Sequence, residues 1–102
     1  MSRLLPALAL AAACAGAAAQ TPDADPGRGL AAACATCHGT NGSNAGGLPD
    51  LAGQPRGRLA QQLRDFRSGN KPATIMHQIS KGYTDAQIDA LAGFFASQKA
   101  GR

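Results

Sequence analysis

The chain is poor in the residues that usually build a protein core. Among its 102 residues there is no tryptophan, one tyrosine and three phenylalanines. A domain this small buries too little apolar surface to be comfortably stable on its own. A shortage of aromatics therefore calls for a staple or a large apolar ligand. Cysteine is scarce as well, with three in all, at positions 14, 34 and 37. That excludes a disulfide-dense scaffold. Six acidic residues stand against ten basic ones, for a net charge of +4, which is no nucleic-acid footprint. No paired carboxylates, and no serine or cysteine beside a base, offer an acid–base or nucleophilic constellation. No segment alternates as a half-buried strand does. The uncharged stretch from Leu4 to Ala19 has 16 residues, mostly alanine, and is short for a membrane span of about 20.

That stretch reads instead as an export signal. Arg3 supplies a positive start, Leu4 to Ala15 an apolar middle, and Ala17-Ala18-Ala19 a small-residue cleavage site before Gln20. The expected division is a signal peptide over residues 1–19 and one domain over 20–102. Cys14 lies in the leader. Ala11-Ala12-Ala13-Cys14 has the small residues of a lipoprotein site, though with Ala11 where such sites carry leucine. Anchoring through Cys14 is the alternative. Cleavage after Ala19 leaves only Cys34 and Cys37.

Those two belong to the most informative stretch, Cys34-Ala35-Thr36-Cys37-His38. Two thiols separated by two residues, with histidine directly after, is the spacing of a c-type haem attachment site. Each thiol would add across one haem vinyl group, and His38 would offer an axial nitrogen to the iron. Other readings stand beside this one. A thioredoxin-like pair wants a βαβ context, a zinc site needs two more ligands, and an exported pair can form a structural disulfide. The histidine is the discriminating letter, and it points to one covalent haem c.

The rest of the chain reads as helices. Asp25 and Pro26 start the first, which is expected to run to about Ala35. Gly27 and Gly29 either let another helix approach or mark a ragged start. A glycine-rich loop follows His38, and then Leu48-Pro49-Asp50-Leu51. The Pro49 carbonyl is a candidate acceptor for the second ring N–H of His38, although a loop proline can be only a turn residue. Leu48 and Leu51 are candidates to pack on the haem. Pro55 is expected at the first position of a second long helix with Leu59, Leu63 and Phe66 as its apolar stripe, ending at Ser68-Gly69-Asn70. Its basic residues Arg56, Arg58, Arg64 and Arg67, with Lys71, form either a solvated face or a patch that steers docking to an acidic partner.

A short helix over Ile75 to Lys81 is expected, capped by Thr74, and it carries two candidate second ligands, Met76 and His77. Successive helical residues project about 100° apart, so only one can face the ring. Ile75 and Ile79 share a face, and Met76 lies nearer to it than His77 does. Met76 is favoured, with a plain core methionine or bis-histidine ligation as alternatives. Thr84 and Gln87 form a capping box for the last helix, whose buried face is Ile88, Leu91, Phe94 and Phe95. Gly93 suits a close helix crossing, with Gly27 or Gly29 as the other side. Lys99 and Arg102 suit the negative end of that helix.

Taken together, Cys34 to His38, Leu48 to Gln54, Leu63 to Gly69, Met76 and Lys81 to Asp85 resemble the small bacterial class I cytochromes c. The likeness is greatest to the group containing the dihaem periplasmic cytochromes and the haem subunit of flavocytochrome c sulfide dehydrogenase. It spans about Pro26 to Gln98. It implies an all-α fold of three main helices and a short one around one haem, the first and last helices crossing at Gly27 and at Phe94 or Phe95. It implies His38 and Met76 as the iron ligands, with the Pro49 carbonyl as the orienter of His38. The dihaem relatives repeat the domain. One haem motif here implies a single-domain carrier or a monohaem subunit.

The expected function is periplasmic one-electron transfer rather than substrate chemistry. The partner is a redox protein, with an FAD-bearing flavoprotein subunit as the first expectation and a freestanding shuttle as the second. An open-site haem enzyme or ligand sensor is the reading of another class, and it requires that Met76 not bind.

Overall fold

The structure, a computed structural model, describes residues 25–44 and 46–100. The expected leader over 1–19, including Cys14, and Arg102 lie outside them. All regular elements among the described residues are helical. Helix α1 spans Pro26–Ala31 and runs through a 3-10 turn, Ala32–Cys34, into α2, Ala35–His38. A second 3-10 turn covers Thr40–Gly42. Helices α3 (Arg56–Ser68), α4 (Met76–Ser80) and α5 (Asp85–Ser97) complete the fold.

The helix ends follow local chemistry. The Asp25 carboxylate accepts the Gly27 N–H at 3.0 Å, and Pro26 occupies the first turn. The helix predicted to end near Ala35 continues to His38 with a tighter turn inserted. In a 3-10 turn side chains three apart eclipse, and the run Ala31 to Ala33 has nothing bulky to resist that. Helix α3 starts one residue later than predicted. Pro55 has ψ 131°, outside the helical range, and stands as N-cap rather than first helical residue. Helix α4 has Ile75 rather than Thr74 at its N-cap, and no side chain caps it. On α5 both halves of the Thr84–Gln87 capping box are made.

Helices α1 and α5 cross at Gly27. A Cβ there would run into the Ala90 carbonyl and the Phe94 Cβ. Gly93, expected at this crossing, lies elsewhere, and a Cβ there would meet the Arg56 guanidinium at 3.5 Å. Ala90 and Phe94 are four apart and share the face toward α1, while Gly93 is turned about 100° away. Gly29 faces open space. Beneath the crossing, Ala31, Leu59, Ala60, Ile88 and Leu91 are buried with Phe94 and Phe95, whose rings meet edge to face at 5.3 Å.

Two of the α3 arginines do not form a solvated face. Arg64 Nη2 donates to the Asp89 carboxylate at 2.7 Å. Arg67 pairs with Asp85 and also donates from Nη1 to the Tyr83 carbonyl at 3.1 Å. These bonds tie α3 to the start of α5. The Arg67 hydrogen bond and charge hold the Asp85 carboxyl below the usual carboxylate range.

The irregular segment between α2 and α3 is pinned at Gly42. Its φ of +81° suits glycine, and a Cβ there would collide with Phe95 and Leu51. Its carbonyl accepts the Leu51 N–H at 2.8 Å and the Ala52 N–H at 3.3 Å, and the Gly53 N–H donates to the Phe95 carbonyl at 2.9 Å. The loop is thereby fastened to the end of α5.

The contrast between Gly27 and Gly29 makes a direct check on the crossing. Gly27→Val should destabilise the fold by about 1–3 kcal/mol through overpacking. Gly29→Ala should be neutral or stabilise it by up to about 1 kcal/mol. Urea midpoints of the two variants measure both, and equal losses would refute the assigned crossing.

Candidate haem site

Helix α2, the 48–54 segment, α3 and α4 surround a cavity of about 490 Å³. Its walls are chiefly apolar, with Leu51, Leu59, Leu63, Phe66 and Ile79 among them. A cavity of this size falls within the usual range for ligand and cofactor sites. Cys34, Cys37 and His38 enter the wall from the first helical stretch, Pro49 and Leu51 from the loop, and Met76 from α4. Every site residue expected from the sequence thus lines one cavity.

Cys34 closes the 3-10 turn and Cys37 lies three residues on in α2, a spacing that puts both side chains on one face. Cys34 is half-buried, Cys37 is exposed, and neither is in a disulfide. Burial first, and then the neighbouring Cys37, push the Cys34 thiol up. Tyr83, on the same cavity, is raised first by burial and then by Cys34. Among the described residues no three His, Cys, Asp or Glu side chains gather as a metal cluster would need, so nothing there supports a zinc site.

His38 ends α2, and Gly39 turns the chain with φ +81°. His38 Nδ1–H donates to the Pro49 carbonyl at 3.0 Å. A carbonyl can only accept, so the proton sits on Nδ1. The neutral ring then carries its lone pair on Nε2, the atom suited to a metal. Met76 lines the cavity. His77, one position on, is absent from its wall, and its Nδ1 is buried without a hydrogen-bond partner.

Sequence reasoning passed over several wall residues. Leu63 and Phe66 read only as a helix stripe, and Gln54, Gln62 and Tyr83 drew no notice as liners. The spacing of Arg58, Gln62 and Phe66 by four residues, which places them on one face of a helix, was the available signal. Lys71 also joins the wall, its ammonium 5.1 Å from the Phe66 ring centroid.

This set of groups fits a flat, apolar, iron-bearing ring: two thiols on one helical turn, a histidine with a fixed tautomer, a thioether and hydrocarbon walls. An all-helical domain with that site is a covalent haem-binding domain of c type. The sequence pattern of the family described as Cytochrome c matches residues 24–99, and the chain belongs to that family. Its haem is covalent, through Cys34 and Cys37.

Known relatives agree. The chain is 34% identical over 68 residues to the cytochrome subunit of sulfide dehydrogenase of Chlorobaculum tepidum, covering 67% of this chain and 62% of that protein. It is 30% identical over 81 residues to cytochrome c-554(548) of Halomonas halodenitrificans, covering 76% of this chain and 98% of that one. The solved structure of Acidithiobacillus ferrooxidans cytochrome c4 superposes with a TM-score of 0.61 at 45% identity, over 64% of this chain and 38% of that one. The chain spans between 28% and 62% of the length of the first curated relatives it matches.

Replacing both Cys34 and Cys37 by alanine should abolish covalent haem. Mass spectrometry of the protein from a strain able to attach c-type haem checks this, and a retained haem adduct would contradict the site.

Proposed function

We propose that the chain is a periplasmic one-electron carrier whose iron is held by His38 and Met76, and that it serves as the cytochrome subunit of a flavoprotein dehydrogenase. Bound haem supplies an iron that cycles between its ferric and ferrous states. The single observation carrying the ligand assignment is the shared cavity, which has His38, oriented by Pro49, and Met76 in its wall but not His77. Two protein ligands close the iron, so the chain passes electrons and does no chemistry on a substrate. Thioether ligation beside histidine also raises the potential of such a site. Leu51 and the neighbouring hydrocarbon keep water from the ring.

The subunit reading is supported by the likeness to the sulfide dehydrogenase cytochrome subunit. A freestanding shuttle is the second reading, favoured by the near full-length match to cytochrome c-554(548). The leader over residues 1–19 is the support for export to the periplasm.

Met76→Ala should abolish the long-wavelength methionine–iron charge-transfer band of the oxidised protein, whereas His77→Ala should leave it in place. A band that survives loss of Met76 removes the ligand assignment. Size-exclusion chromatography of the native protein from its host should find it in a stable complex that contains flavin, and elution alone would favour the shuttle.

A further inference from the structure

Helix α4 carries Met76 yet does little to hold itself. It has five residues, too few to form a stable helix unaided. No side chain caps its start. Its two buried side-chain polar atoms, His77 Nδ1 and Ser80 Oγ, have no hydrogen-bond partner. Beyond its packing against α3, its place is set by the chain on either side.

Downstream the connection is short and bonded. The Gly82 N–H donates to the Ile79 carbonyl at 3.1 Å and the Tyr83 N–H to the Ser80 carbonyl at 3.2 Å, so α4 leads directly into Tyr83. Arg67 takes hold there. Its Nη1–H donates to the Tyr83 carbonyl at 3.1 Å, and its Nη2 pairs with the Asp85 carboxylate at the head of α5. Tyr83 itself packs against the core and lines the haem cavity. One planar guanidinium, rigid and with several donors, thus grips both the backbone leaving α4 and the first residue of α5. The depressed Asp85 carboxyl reports the same contact. Arg64, one turn earlier, is the natural contrast. It pairs with Asp89 at 2.7 Å and lies 4.0 Å from Asp85, with no bond to the backbone between α4 and α5 among those described.

We propose that Arg67 is a positioning residue for Met76: its fork fixes the turn after α4 and so sets how firmly the thioether is presented to the iron. The proposal rests on the reading of Met76 as a ligand. Loosening the turn lets the thioether swing away and an outside base take its place, without altering the haem bonds at Cys34 and Cys37.

The test is an imidazole titration of the oxidised, haem-bearing protein, followed at the methionine–iron band, for the wild type and for Arg67→Met, Arg67→Lys and Arg64→Met. Methionine keeps the aliphatic stem of arginine and removes the fork. Arg67→Met should lose the band at about tenfold lower imidazole, the worth of one charge-assisted hydrogen bond. Arg64→Met should stay within about twofold of wild type, because its partly exposed ion pair affects global stability and not the turn. Urea midpoints of both variants separate a general loss of stability from this local effect. If Arg67→Met does not fold, Arg67→Lys is read instead. It keeps the charge beside Asp85 but not the paired hydrogen bonds to Tyr83 and Asp85, and it too should lose the band at lower imidazole than wild type. Equal shifts for the Arg64 and Arg67 variants, or none for Arg67, would overturn the proposal. A wild-type protein with no such band would overturn the Met76 assignment itself, and the Arg67 proposal with it.

Discussion

Helix α2, the 48–54 segment, α3 and α4 close around a space of about 490 Å³ with chiefly apolar walls, and that space has to be filled. Hydrocarbon left facing water is unfavourable, and a large apolar ligand removes it. Leu59, Leu63 and Phe66 of α3 and Ile79 of α4 spend their apolar surface on the wall of this space. The shortage of aromatic residues follows from the same fact, because the haem takes the part of the missing core.

Once the ring is the core, the other features fall into order around it. The crossing of α1 and α5 at Gly27 carries the two cysteines to one side of the cavity. The loop pinned at Gly42 brings Pro49 within 3.0 Å of His38. The ion pairs of Arg64 and Arg67 join α3 to α5 at the place where the Met76 segment enters. The ion pairs are individually weak, because they are exposed to solvent. Their worth lies in the geometry they impose on the residues that line one cavity. No membrane-crossing helix occurs among the described residues.

Much of this was legible beforehand, and the reasons are physical. The attachment motif is short-range, so its five residues carry their chemistry wherever the fold places them. Capping is also local, and the Asp25-Pro26 start and the Thr84–Gln87 box needed no tertiary knowledge. The errors came where a residue answers to something distant. Gly93 reads as a crossing residue in isolation, but the crossing uses Ala90 and Phe94. Arg64 and Arg67 look like solvated charges along α3, but their partners lie on α5, 25 and 18 residues away. Tyr83 has no signature as a cavity liner until the helices are assembled.

The sequence by itself determined the covalent chemistry, the helical class and the short list of groups able to meet an iron, because thiol spacing, caps and apolar periodicity are properties of neighbours. Only the tertiary structure gave adjacent candidates different places. Met76 and His77 differ by one residue, and the packing of α4 puts Met76 in the cavity wall and leaves His77 out of it. It likewise decided that the Pro49 carbonyl meets His38, since a bond between residues eleven apart depends on how Gly42 closes the loop and Gly53 fastens it to α5.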